Sequence, residues 1–150
     1  MGSGRATHSM SAELCFVDTN VLVYLFDADS AHKQARARQL LANNADQIVL
    51  SAQVLGEFYV TVTGKLAKPL DAISAQQAVD SLGALAVCSI SVQLVQAAVR
   101  RSRTSRLSYW DALIVETAID SGASVLLTED LQHGQLFDEL VVKNPFLDES

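Results

Sequence analysis

The chemistry this sequence can offer rests on four acidic positions: Asp18, Glu57, Asp111 and Asp130. Asp18 interrupts the run CFVDTNVLVYLFD, between two apolar segments that both favour burial. Either Asp18 or Thr19 caps the following helix by accepting free backbone N–H groups, or Asp18 holds something at a strand's end. Glu57 lies in SAQVLGEFYVTVTGK, where Gln53, Gly56, Glu57, Thr61 and Gly64 make a narrow polar stripe on an otherwise apolar helix. The stripe is a solvated face or the wall of a cleft, and its narrowness favours the cleft. Asp111 follows Ser108 by three residues in SYWDALIVETAIDSG, which suits a capping box. It also shares a helix side with Ile114, Val115 and Ala118, while Glu116 and Asp120 fall on the far side, read as solvated. A carboxylate on a buried face is costly unless it is paired or binds metal. Thr128, Glu129 and Asp130 follow ASVLL. Alternation along an extended segment puts Thr128 and Asp130 on one side, which favours Asp130 and leaves Glu129 as the competing assignment.

Acids spread over the chain in this way match one kind of chemistry. Mg²⁺ and Mn²⁺ prefer oxygen ligands, and Mg²⁺ keeps several waters beside one or two carboxylates. One or two such ions clamp a phosphodiester, activate water and stabilise the departing oxygen. They also let an acidic pocket accept a polyanion.

The elements that must position these acids alternate in type. Strand candidates are 14–18, 47–50, 86–89, 124–127 and 139–142. Helix candidates are 19–26, 30–44, 51–65, 71–84, 91–105 and 108–121. Ser30, Ser51, Asp71, Ser91 and Ser108 are the expected caps, and Gly64 and Gly122 suit helix ends. This pattern predicts an α/β fold, a mainly parallel sheet with helices on both faces. Ligands in such sheets bind at the carboxyl ends of the strands, where Asp18 and Thr128–Asp130 would both lie.

Composition narrows the class. With 150 residues, 49% of them hydrophobic, the chain fits one domain with a substantial core. MGSGRATHS at 1–9 reads as an expression leader, leaving residues 10–150 as the domain. No apolar stretch is long enough to span a membrane. Cys15 and Cys88 lack metal spacing and read as buried small hydrophobes in a reduced cytoplasm. The net charge of -6 lacks the usual basic footprint of a nucleic-acid binder, so a polyanion would need a local basic patch or bound cations.

FVDTNVLVYLFD, QVLGEFYV, LSYWDALIVETA and LLTEDLQHGQ, in order and sensibly spaced, resemble the PIN-domain nucleases, especially VapC-type ribonuclease toxins. The resemblance covers essentially the whole chain after the leader. It implies an α/β/α sandwich, Mg²⁺ or Mn²⁺ as cofactor, and cleavage of single-stranded RNA. It also implies homodimers and an antitoxin that blocks the site. The family's metal-binding acids map onto Asp18, Glu57, Asp111 and Asp130, with Asn20 and Thr128 at supporting positions.

RRSRTSR contributes Arg100, Arg101, Arg103 and Arg106, four of eleven basic residues, just before the Asp111 segment. They are candidate RNA-backbone contacts, against the plainer reading of a solvated helix end. Lys65 and Lys68 form a weaker patch. Tyr109 and Trp110 could stack on bases, though such positions more often serve a core or a dimer. Three alternatives compete: a PIN-like nuclease of RNA processing, a catalytically silent PIN-like binding module, and a haloacid-dehalogenase-type phosphatase. The last wants a second Asp where Asn20 stands, and no Gly-rich phosphate loop supports an NTPase.

Overall fold

The computed structural model describes residues 13–147. The leader at 1–9 therefore lies outside the described residues. The strands are β1 (Cys15–Val17), β2 (Ile48–Ser51), β3 (Ala86–Cys88), β4 (Val125–Leu127), β5 (Leu136–Phe137) and β6 (Leu140–Lys143). The α-helices are α1 (Thr19–Val23), α2 (Ala31–Asn44), α3 (Ala52–Gly64), α4 (Ala72–Leu82), α5 (Val92–Ser105) and α6 (Tyr109–Asp120).

The strands form one six-stranded sheet in the order β3-β2-β1-β4-β6-β5. All neighbours are parallel except β5 and β6. Helices flank the sheet, giving the α/β sandwich expected from the alternating pattern. β1, β2 and β4 are short and apolar because they are covered on both faces. Phe16, Val17, Leu50 and Leu126 are fully buried, and Val54, Phe58 and Val62 bring the inner face of α3 onto them. A smaller apolar cluster joins α5 to α6 through Leu94, Ala98, Ala112 and Leu113.

The register places the site. Val17 pairs with Leu127, so Asp18 and Thr128 leave adjacent strands side by side. The order reverses between β1 and β4, and a crevice opens at the carboxyl ends of strands where it does. Ser51 ends β2 and caps α3 through Val54 N–H, which sends Glu57 along the same edge. Asp71, Ser91 and Ser108 cap their helices as expected.

Four expectations differ from the structure. Ser30 makes no side-chain cap to α2; its hydroxyl and its N–H turn instead to Asp27. The helix expected over 19–26 stops at Val23 and tightens into a 3₁₀ turn at Tyr24–Phe26. The antiparallel strand β5 was not anticipated. Glu116 is not solvated but largely covered, paired with Arg101.

Candidate active site

Asp18 caps α1 from the carboxyl end of β1. It is 5% exposed, and its Oδ1 accepts from Thr19 N–H at 2.7 Å. Its Oδ2 accepts from the Thr128 hydroxyl at 2.8 Å and the Asn20 amide at 3.4 Å. Thr128 is fully buried and also accepts from Asn20 Nδ2 at 3.1 Å and from Asp130 N–H at 3.1 Å. The Asn20 amide reaches on to Asp130 Oδ2 at 2.9 Å, and its Oδ1 accepts from Glu129 N–H at 3.2 Å. Asn20 thus ties the end of β4 to the start of α1, and Asp18 to Asp130.

Glu57 arrives from α3. Its Oε1 accepts from the Thr19 hydroxyl at 2.8 Å, and its Oε2 from the Gln53 amide at 3.1 Å. The two residues that follow Asp18, Thr19 and Asn20, therefore hold the second and fourth acids. Asp111 sits in the first turn of α6, where its N–H donates to the Ser108 hydroxyl at 3.0 Å. The capping reading of Asp111 is thus seen in its backbone, while its carboxyl lies near enough to Asp130 and Glu57 to be influenced by their charges.

The electrostatics register this convergence. Burial, then the charges of Asp130 and Glu57, push the Asp18 carboxyl up to about 6 against the Thr128 and Thr19 hydrogen bonds. Asp111 is raised by burial first, then by Asp130 and Glu57. Among the described residues, none of the four acids forms an ion pair with a basic side chain. The donors are all carboxylate oxygens that repel one another, which is the environment a divalent cation relieves. They make an acidic mouth at the carboxyl edge of the sheet, but among the described residues no group of three or more acidic, histidine or cysteine side chains lies close enough together to hold a metal ion. An ion bound here would rest on one or two of these carboxylates and keep several of its waters.

Glu129 turns away from this group. Its Oε1 accepts from the Tyr24 hydroxyl at 2.5 Å, and its Oε2 pairs with Lys33 Nζ at 2.9 Å. Lys33 Nζ also donates to the Tyr24 hydroxyl at 3.2 Å and lies over the Tyr24 and Phe146 rings. This clamp fixes the turn that carries Asp130. Thr19, Tyr24 and Lys33 escaped sequence reasoning. Thr19 was noticed only as a cap, and nothing in sequence links Lys33 to a residue ninety-six positions away.

The arginines divide. Arg101 is committed to Glu116 and Asp138 and lies over the Phe137 ring. Arg100, Arg103 and Arg106 are exposed. Lys65 and Lys68 are exposed too, beyond the end of α3. Cys15 and Cys88 are half-buried, and burial raises both thiols, so neither is an activated nucleophile.

The PIN domain family profile matches residues 15–137, most of the chain. The chain belongs to the PIN-domain family. Its fold is shared with VapC20 of Mycobacterium tuberculosis, a sarcin–ricin loop cleaving toxin, at 20% identity over 77% of this chain and 89% of that one, with a TM-score of 0.62. A toxin–antitoxin complex from Klebsiella pneumoniae aligns at 21% identity, over 88% of this chain and 98% of that one, with a TM-score of 0.67. VapBC2 from Rickettsia felis, bound to a promoter DNA fragment, aligns at 23% identity over 87% and 98%, with a TM-score of 0.60. No curated protein matches the chain.

Proposed function

We propose that this chain is a Mg²⁺- or Mn²⁺-dependent endoribonuclease that hydrolyses RNA phosphodiester bonds, acting as the toxin of a toxin–antitoxin pair in the cytoplasm. What supports the reading is the mutual influence of Asp18, Glu57, Asp111 and Asp130 on one another's charge in a PIN fold, with Asp18 leaving β1 beside the switch point and with no basic partner for the four among the described residues. The toxin and toxin–antitoxin names of the similar structures favour the toxin role and a cognate antitoxin partner over an RNA-processing nuclease, and a homodimer is part of the same proposal.

Asp18, Glu57, Asp111 and Asp130 would hold the ion or ions, which when bound supply an activated water and charge neutralisation at the scissile phosphate. Thr128, Asn20 and Thr19 fix the carboxylates so that their lone pairs stay aimed at the mouth. Because Asp18 and Asp111 hold protons to higher pH than free carboxyls, metal loading releases protons there and tightens as pH rises. Arg100, Arg103 and Arg106 are the remaining candidates to hold flanking phosphates.

The test is cleavage of structured and unstructured RNA by the purified protein with Mg²⁺, Mn²⁺ or EDTA. Cutting that needs the metal and disappears in Asp18→Asn is the expected result. Cutting that survives EDTA, or that Asp18→Asn leaves intact, would end the reading.

A further inference from the structure

A groove of about 540 Å³ runs between the first turns of α3 and α6 and is lined by Ala52, Gln53, Gly56, Glu57, Ile90, Tyr109, Trp110 and Leu113. We propose that it is a nucleobase subsite, in which one base of a single-stranded RNA stacks on Trp110 beside the phosphate held at the acidic mouth. This rests on the ribonuclease reading above and adds where the substrate's base goes.

Three observations support it. First, Glu57 belongs both to the groove and to the acidic mouth, and Trp110 immediately precedes Asp111, so the two sites are continuous. A nucleotide whose phosphate lies at the mouth has its base within reach of the groove. Second, Trp110 is 60% exposed, although it sits on a helix that otherwise buries its apolar residues. The Tyr109 ring meets it edge-on at 4.9 Å and 73°, which holds the indole while leaving a face for a flat partner. Third, the groove has a polar handle. The Gln53 amide nitrogen donates to Glu57 Oε2 and to the Trp110 carbonyl, while its Oε1 has no partner among the described residues. That acceptor is buried in the free protein, and a base that displaced the Gln53 amide on entering would satisfy it with an N–H edge, which every RNA base carries.

The remaining lining favours a base over a phosphate. Ala52, Ile90 and Leu113 are apolar, and the one charged lining residue, Glu57, repels an anion. Gly56 lines the groove, and a Cβ built there meets nothing within 4 Å, so a larger side chain fits at this position without a clash. The space lies in the range of small-molecule pockets.

Trp110 is the chain's single tryptophan, so its emission reports on the groove alone. The experiment adds short single-stranded oligo(A), oligo(C) and oligo(U) to the full-length Asp18→Asn protein and follows both labelled-RNA anisotropy and tryptophan emission. Binding should quench the emission. Trp110→Ala should weaken binding fivefold to a hundredfold, the range of one base stacked on an aromatic ring, and Trp110→Phe should restore most of it. Gly56→Leu fills the groove from an exposed helix position and should weaken binding in the same way, which covers a misfolded Trp110→Ala. RNA that binds with unchanged emission, and equally well to Trp110→Ala, would overturn the subsite while leaving the ribonuclease reading standing. A Trp110→Ala variant that sediments as a monomer where the parent is a dimer would overturn it in favour of a subunit contact. Failure of the wild type to bind or cut any RNA would remove both readings.

Discussion

Asp18 carries its charge at a cost, and the sign of that cost can be measured. Its carboxyl is raised from the usual 3.8 to about 6, so the folded chain holds a proton there that the unfolded chain has already released. Stability from this group is greatest at low pH, falls as pH rises between about 4 and 6, and is fully lost above that window. Two units correspond to about 3 kcal/mol. Metal-free melts of Asp18→Asn should therefore match the wild type near pH 4 and exceed it at pH 7–8 by up to about 3 kcal/mol. Loss of one acceptor for Thr128 or Thr19 trims that gain. Adding Mg²⁺ should raise the wild-type melting temperature and leave the variant unmoved; equal responses would detach Asp18 from metal binding. Asp130 and Glu129 allow a sharper comparison. The Tyr24–Lys33 clamp draws Glu129 aside while Asn20 holds Asp130. Asp130→Asn should lower kcat at least a hundredfold. Glu129→Gln should lower it less than tenfold, with about 1 kcal/mol of stability lost. The reverse ranking, read from single-turnover cleavage, would exchange their roles.

Helices α5 and α6 show what one element asks of another. Arg101 and Glu116 face each other across them, largely covered, with Asp138 and the Phe137 ring alongside. Arg101→Ala should cost about 1–3 kcal/mol in denaturant melts, because it strips packing and leaves Glu116 unpaired. Of the four arginines, only Arg100, Arg103 and Arg106 are then free to meet RNA. Replacing those three should reduce the salt slope of binding by up to about 2 for a single strand, and an unchanged slope would return them to a solvated helix end. Arg106 closes α5 in the left-handed region at φ 58°. Arg106→Gly should add roughly 1 kcal/mol of stability in the same melts. Sequence reading served these elements unevenly. The long helices and the strands of the parallel core were legible because their apolar periods persist over several residues. β5 was not, since two residues carry no period, and only Phe137 of the pair is buried. The candidate acids stood out by their places: Asp18 and Asp130 just after strands, Asp111 at the start of an apolar helix face, and Glu57 on a narrow polar stripe in mid-helix. Their organisers were not. Thr19 finds Glu57, and Lys33 finds Glu129, only through strand register, which single residues do not encode.

At the scale of the whole molecule, the sheet order draws the site from distant parts of the chain. β1 lies between β2 and β4, and the Asp18 side of the crevice is completed by residues that follow β4. A chain ending at Asp120 would lack Thr128, Asn20's distant partners and one whole flank of β1. It should show neither a cooperative melt nor cleavage, and cutting by that fragment would contradict the assembly described here. The same pairing has a consequence for the order of synthesis. A ribosome delivers Asp18 well before Asp130, so a chain made only as far as β3 carries its first acid with nothing to complete it. On the ribonuclease reading, no product that stops short of Asp130 can attack the messages around it, and the interval before a neutralising protein must be at hand begins only once Asp130 has been made.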